Sequence, residues 1–298
     1  MTFDCIVMGG GPAGLSAALV LGRCRRSVAV IDAGRPRNPG HAAHGIFTRD
    51  GEDPHELRRI ARRQLAPYDV RLFDDEVVAV RHDPSAALFH ISTWRGQTLE
   101  SKKLLLATGM RDRMPDEAPF RERLGRGVFV CPHCDGWERR DKKLAAYAPA
   151  ATGAELALAL RTWSADVVLI ARDGIVPPDD RARLSRNGVP LHEDVVTSLR
   201  TTGDELEGLA LRSGVSLDVD AIFVQFGSEQ ASPFAAQLGC TFDEKCKVCP
   251  KEGERGEVPG LFVAGDASHD LQLYTIAVAE GVKAACAMNA ELRKESEK

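Results

Sequence analysis

Short, nearly continuous apolar runs recur along this chain. They cover residues 6–8, 27–31, 103–107, 127–130, 166–170, 221–225 and 260–264, each bounded by glycine, proline or charge. Runs of this kind predict strands buried on both faces. Residues 15–21, 56–65 and 277–292 instead space their apolar side chains for one helix face. In 56–65 that face carries Leu57, Ile60, Ala61 and Leu65. Strands alternating with helices predict an α/β fold built on parallel sheets.

The first strand and helix enclose a glycine turn, Gly9-Gly10-Gly11-Pro12-Ala13-Gly14. This is G-x-G-x-x-G in the context that gives it meaning, between a strand and a helix. Gly9 permits the tight turn, Gly11 lets the backbone approach a pyrophosphate, and Gly14 lets helix and strand pack closely. The phosphates would sit on the helix N-terminus, where free N–H groups and the helix dipole favour an anion. The second strand ends at Asp32, 23 positions after Gly9. That separation suits an acid that binds ribose hydroxyls.

Composition adds limits rather than detail. The 298 residues suggest about two domains. With 44% apolar residues, 28% charged residues and a net charge of −4, the chain is globular and carries no broad nucleic-acid footprint. The N-terminus has no secretory pattern and no apolar run approaches the roughly 18 residues of a membrane span. These features predict a cytoplasmic protein, where structural disulfides are rare. The eight cysteines are then buried hydrophobes, metal ligands or redox groups. Cys5, Cys24, Cys240 and Cys286 stand singly and are expected to be buried.

Two pairs have C-x-x-C spacing. In Cys131-Pro132-His133-Cys134-Asp135-Gly136 the sulfurs can reach bonding distance, and a helix N-terminus can stabilise one thiolate. His133 can add positive charge. The Asp135 carboxylate can relay the proton that dithiol–disulfide exchange must move. The second pair, Cys246-Lys247-Val248-Cys249, reads as a short strand over 245–249. Residues three apart on a strand point to opposite faces, which favours two unrelated cysteines over a zinc site or a second redox pair.

Two later segments favour FAD over NAD in the first site. Ala107-Thr108-Gly109 ends one apolar strand, and Gly265-Asp266 ends another, with Gln272 shortly after. In this order the motifs resemble those of flavoproteins with two dinucleotide-binding domains. Together with Cys-x-x-Cys-Asp-Gly, they resemble the low-molecular-weight thioredoxin reductase family, over nearly the whole chain.

The resemblance implies two Rossmann-like, three-layer ββα domains, the second inserted in the first. The FAD-binding domain would comprise residues 1–116 and 227–298, and the insertion residues 117–226. FAD would be held by Gly9, Gly11, Pro12, Ala13, Gly14, Asp32, Ala107, Thr108, Gly109, Gly265, Asp266 and Gln272. Cys134 would be the flavin-proximal thiol, Cys131 the interchange thiol and Asp135 the acid/base. The resemblance also implies a homodimer and a thioredoxin or other dithiol partner. His41, His44 and His269 fall near the expected flavin-side loops, His269 being the best placed for proton transfer.

The chain departs from the family pattern where a second glycine turn should bind NADPH. Ala148 and Ala150 occupy the first two glycine positions, and only Gly153 is kept. A Cβ at the second position blocks the pyrophosphate, and Pro149 removes an N–H donor. The following strand should end in basic residues for a 2′-phosphate but ends in Arg172-Asp173. NADPH loss is therefore expected, with ferredoxin as one replacement donor. The rival readings are a dithiol oxidase that passes electrons to oxygen and a non-catalytic flavin-bound scaffold or sensor. The four arginines of 56–65 are expected to form a solvated face, or a docking patch for an acidic donor.

Overall fold

A computed structural model describes residues 1–37, 42–268 and 271–297. His41 and His269 lie outside the described residues. The elements in chain order are β1 (Thr2–Met8), α1 (Pro12–Arg23), β2 (Val28–Asp32), α2 (Pro54–Gln64), β3 (Val70–Asp74), β4 (Val77–Asp83), β5 (Leu88–Thr93), β6 (Thr98–Leu106) and β7 (Met110–Asp112). Next come β8 (Val128–Phe129), α3 (Pro132–Asp135), β9 (Leu144–Pro149), α4 (Gly153–Leu160), β10 (Val167–Arg172), α5 (Pro178–Arg186), β11 (Leu191–Glu193), β12 (Val196–Thr202), β13 (Glu205–Leu211), β14 (Ser216–Leu217) and β15 (Ala221–Val224). The chain ends with β16 (Ser228–Gln230), α6 (Phe234–Gln237), β17 (Leu261–Val263) and α7 (Tyr274–Ser296). Met1–Arg37, Gly45–Arg111 and Ser228–Lys298 form one compact unit, and Asn38–His44 with Asp112–Gly227 form the other.

In the first unit a sheet runs in the order β3-β2-β1-β6-β5-β4. Strands β3, β2, β1 and β6 pair in parallel, and β17 joins β6 in parallel through Leu104–Leu106. The first half of β6 pairs instead with β5, antiparallel. Residues of β1 alternate between two cores, as the two-residue strand period requires. Ile6 and Met8 face the antiparallel strands with Phe89, Ile91 and Leu99. Cys5 and Val7 face α1 and α7 with Leu15, Ala18, Leu21, Ala284 and Met288. Layers on both faces account for the unbroken apolar runs. Helices α1 and α7 touch backbone to backbone: a Cβ on Gly281 would stand 2.0 Å from the Ala13 carbonyl oxygen.

The second unit repeats the plan. Its parallel sheet runs β11-β10-β9-β15-β8, beside an antiparallel ribbon β12-β13-β14. Leu144, Ala146 and Ala148 of β9 enter one core, and Ala145 and Tyr147 the other.

Two expectations about cysteines fail. Residues 245–249 form a turn, not a strand. Asp243 Oδ1 accepts the amides of Lys245 and Lys247, both at 2.8 Å, and Cys246 takes φ 62°. An aspartate that caps its own following amides outcompetes strand pairing, and a single bridge between Phe242 and Val248 remains. Both thiols are free. Among the single cysteines, Cys5 and Cys240 are buried, but Cys24 and Cys286 are exposed. Cys24 caps the end of α1 and Cys286 falls on the outer face of α7. Among the described residues, no helix is long and apolar enough to cross a membrane.

Candidate redox and dinucleotide sites

The glycine turn of the first unit is built as its spacing predicts. Gly9 takes φ 111°, and a Cβ there would lie 2.2 Å from the Ala107 carbonyl oxygen. Gly14 abuts the Gly9 carbonyl oxygen, 1.9 Å from where its Cβ would be. Gly11 is different, because nothing lies within 4 Å of its Cβ position. It is the N-cap of α1, Pro12 is the first helical residue, and no side chain caps the orphan amides. Ala13 is buried, its carbonyl group against Gly281 and its Cβ near Gly265. The turn therefore presents an open backbone face and free N–H groups at a helix start.

The other expected residues close around the same strand ends. Ala107, Thr108 and Gly109 follow β6, with Gly109 at φ 70°. Gly265 and Asp266 follow β17. A crevice at the carboxyl ends of parallel strands is where such sheets bind ligands. Two buried polar atoms there, Thr108 Oγ1 and Gln272 Nε2, have no hydrogen-bond partner among the described residues. Buried polar groups are ordinarily satisfied. The open Gly11 face and these two orphans fit a bound dinucleotide.

Asp266 and Gln272 are joined by a residue that no motif signalled. Arg37 Nη1 donates to Asp266 Oδ2 at 2.8 Å and to Gln272 Oε1 at 2.6 Å. Glu280 was also missed. Its buried carboxylate accepts the Gly265 amide at 2.8 Å and fixes the Gly-Asp turn. An acid within the apolar face formed by Ala277, Gly281, Ala284 and Met288 was the available signal.

Asp32 is already engaged. Gly34 donates its amide to Oδ1 at 3.1 Å, and the Arg58 guanidinium pairs with Oδ2. Arg62 lies 4.0 Å from the same oxygen and 2.7 Å from Asp74. The α2 arginines are thus no uniform solvated face. Arg58 and Arg62 turn inward to two strand-end acids, while Arg59 pairs with Glu56.

The redox turn lies in the second unit. Cys131 and Cys134 form a disulfide with Cα atoms 5.3 Å apart. Cys131 is the N-cap of α3, and its Sγ accepts the Cys134 amide at 3.2 Å. Its carbonyl accepts the amides of Cys134 and Asp135. Pro132 starts the helix with its φ preset. Asp135 is buried directly after the pair, and His133 is exposed. His133 meets Trp163 edge-on, ring centroids 5.8 Å apart. His44 belongs to this unit, 3.6 Å from Glu138.

The second would-be nucleotide turn is zipped further than the first. Strand β1 stops at Met8, opposite Ile31, and the amide of Gly9, the first motif position, donates to the Ile31 carbonyl at 2.8 Å. Strand β9 runs on through Ala148 and Pro149, paired with Ala171 and Arg172, and the Ala150 amide then donates to the Arg172 carbonyl at 2.8 Å. Ala150 is 4% exposed, so its methyl group is packed away. The Arg172 side chain is held by Glu117, with Asp173 at 3.5 Å and the Phe226 ring at 5.6 Å.

Fold and redox turn together define a disulfide oxidoreductase with two dinucleotide-type domains. The model of the pyridine nucleotide-disulphide oxidoreductase family matches residues 3–281, and the chain belongs to that flavin-dependent class. Within it the chain is thioredoxin reductase-like. It is 30% identical to the thioredoxin reductase sirT of Leptosphaeria maculans, over 96% of this chain and 93% of that one. It is also 30% identical to a protein of Arthroderma benhamiae named a probable thioredoxin reductase, over 98% and 81%. Among solved structures, HlmI superposes with a TM-score of 0.93 at 32% identity, covering 99% of this chain and 94% of the other.

Proposed function

We propose that this chain is an FAD-dependent thiol–disulfide oxidoreductase whose Cys131–Cys134 pair exchanges two electrons with an external disulfide or dithiol, and that NADPH is not its electron donor. The observation that carries the second part is the closed β9–β10 turn. Three features that a pyrophosphate needs are altered there: a methyl group replaces the second glycine, a proline removes a donor, and the Ala150 amide is spent on Arg172. Arg172, the one basic residue left for a 2′-phosphate, is engaged by Glu117. Each hydrogen bond lost to a charged group costs roughly 1.5–3 kcal/mol, and about 1.4 kcal/mol is tenfold in affinity.

FAD is proposed for the first unit, held by the glycine turn, Asp32, Thr108, Asp266 and Gln272. When bound, it supplies a two-electron carrier for the cysteine pair. In the reducing direction the open pair presents Cys131 at the helix N-cap, its sulfur next to the Cys134 amide. The Cys131 thiolate attacks one sulfur of the substrate disulfide and releases the other as a thiolate. Cys134 then attacks Cys131 in the mixed disulfide, releasing the second substrate thiolate and re-forming the Cys131–Cys134 bond. The Asp135 carboxyl group serves the two proton transfers that convert the released thiolates to thiols. Thioredoxin is the proposed partner class, in keeping with the relatives' names, and a ferredoxin-like protein the proposed donor.

Anaerobic stopped-flow absorbance tests the reading. NADPH should leave the flavin band unchanged, whereas reduced ferredoxin or excess dithiol should bleach it. Bleaching at micromolar NADPH refutes the proposal. Bleaching by a dithiol followed by rapid oxygen uptake reverses the assigned direction and makes the chain a dithiol oxidase.

A further inference from the structure

We propose that Trp163 is a positioning residue for the redox pair: its indole keeps α3 helical when the disulfide opens, and so sets the reactivity of the Cys131 thiol. The inference rests on the reading of Cys131–Cys134 as the working pair. Helix α3 is a single turn of four residues. One turn cannot hold its own shape, because helix nucleation is unfavourable without outside packing. In the oxidised state the disulfide supplies a covalent brace. In the reduced state that brace is gone, and something else must keep the turn.

Trp163 is placed to do so. A Cβ on Gly136 would lie 2.6 Å from Trp163 Cδ2 and 2.8 Å from Cε2, so the indole rests against the backbone of the helix cap. One turn earlier, His133 meets the same indole at 5.8 Å with the rings 80° apart. Positions 133 and 136 share one helix face at i, i+3 spacing. A single side chain thus supports both ends of the turn. Trp163 is itself anchored. Its carbonyl accepts the Asp141 amide at 2.9 Å and its own amide donates to Leu160 at 3.0 Å. The next residue, Ser164, is 3% exposed and accepts the Asp166 amide at 3.0 Å.

What the indole preserves is the donor set of Cys131. The Cys134 amide points at Cys131 Sγ only while residues 131–135 are helical. An N–H aimed at sulfur at a helix start favours thiolate over thiol. Unwinding the turn removes it.

The test compares wild type with Trp163→Ala, Trp163→Phe and Gly136→Ala, all as reduced holoprotein. Iodoacetamide alkylation of Cys131 is followed from pH 5 to 10 by peptide mass, which separates it from the other thiols. The pair's midpoint potential is taken from thiol trapping in graded dithiothreitol buffers. Trp163→Ala should move the Cys131 inflection up by about one pH unit, making alkylation about tenfold slower below it. The potential should become more negative, since the reduced form loses a stabilising contact. Trp163→Phe, which keeps a ring under the turn, should restore most of both. Gly136→Ala, whose methyl would meet both the indole and the Pro132 carbonyl oxygen of the turn, should shift both in the same direction as Trp163→Ala. If the wild-type pair cycles normally and Trp163→Ala keeps its profile and potential, this inference is overturned and the redox reading stands. If the wild-type pair does not cycle, both fall.

Discussion

Gly11→Ala and Gly14→Ala form a matched pair that separates cofactor binding from folding. At Gly11 the backbone is at φ −81° and ψ −174°, open to any L residue, and an added methyl meets no protein atom. Alanine is a poorer N-cap than glycine by about 0.5–1 kcal/mol. It gains about 0.4–1 kcal/mol by restricting the unfolded chain. The two nearly cancel, so the apoprotein should melt within about 2 °C of wild type. The same methyl occupies the face proposed for the FAD pyrophosphate. Losing two hydrogen bonds to charged oxygens, at roughly 1.5–3 kcal/mol each, should weaken FAD by about a hundredfold to ten-thousandfold. At Gly14 the methyl would stand 1.9 Å from the Gly9 carbonyl oxygen and 3.1 Å from Val7 Cγ1. Helix and strand must separate, at a cost of about 1–3 kcal/mol or more. That apoprotein should melt several degrees lower, at roughly 2–4 °C per kcal/mol. Melting of the flavin-free proteins and FAD titration by fluorescence give both quantities. If Gly11→Ala binds FAD within about threefold of wild type, or melts as low as Gly14→Ala, the assignment of an open phosphate face is wrong.

Three further outcomes are expected. Cys134→Ser should trap a mixed disulfide through Cys131, visible by intact mass with a disulfide substrate, whereas Cys131→Ser should trap none; turnover should vanish in both. Arg37→Ala leaves Asp266 without its cation and should lower FAD affinity about tenfold to a hundredfold with little change in apoprotein melting, as read by flavin retention on desalting. Burial pushes the Tyr147 hydroxyl up to about 12, while an unfolded tyrosine ionises near pH 10. The neutral ring therefore contributes fully below about pH 10, and its contribution is lost as pH rises towards 12. Urea midpoints should fall across that window and fall less in Tyr147→Phe.

The α/β class and the first glycine turn were legible because each left a local mark. Unbroken apolar runs reported sheets covered on both faces, and the G-x-G-x-x-G turn fixed its own backbone. The Cys131–Cys134 pairing was legible from spacing in the same way. Arg37 was not, because it reaches Asp266 and Gln272 across more than two hundred positions, and no periodicity or spacing encodes such a contact. The inward turn of Arg58 and Arg62 was hidden for a related reason. Helical spacing places them on a polar face but is silent about acids ending neighbouring strands. The misread segment 245–249 failed locally: Asp243 captures the Lys245 and Lys247 amides that the segment would have offered to a strand.

The two units provide an internal control for the nucleotide argument. They share parallel strand order and alternating core burial, so selection for a folded ββα layer is met in both. They differ where folding does not require it. In the first unit the ladder ends at the first motif position, where the Gly9 amide donates to the Ile31 carbonyl at 2.8 Å and the chain breaks away at φ 111°. In the second, the ladder continues through Pro149 and Arg172, and Ala150 turns its amide into it. Continuing the ladder satisfies backbone groups internally that a phosphate would otherwise satisfy. Such a turn lacks the donors that residues 149 and 150 would otherwise offer an anion, one removed by proline and one spent on Arg172. The same unit keeps Cys131 at a helix N-cap, with Asp135 buried behind it. On the proposed reading its chemistry rests on the thiol pair, and electrons reach or leave that pair by a route other than a nucleotide bound in its own unit.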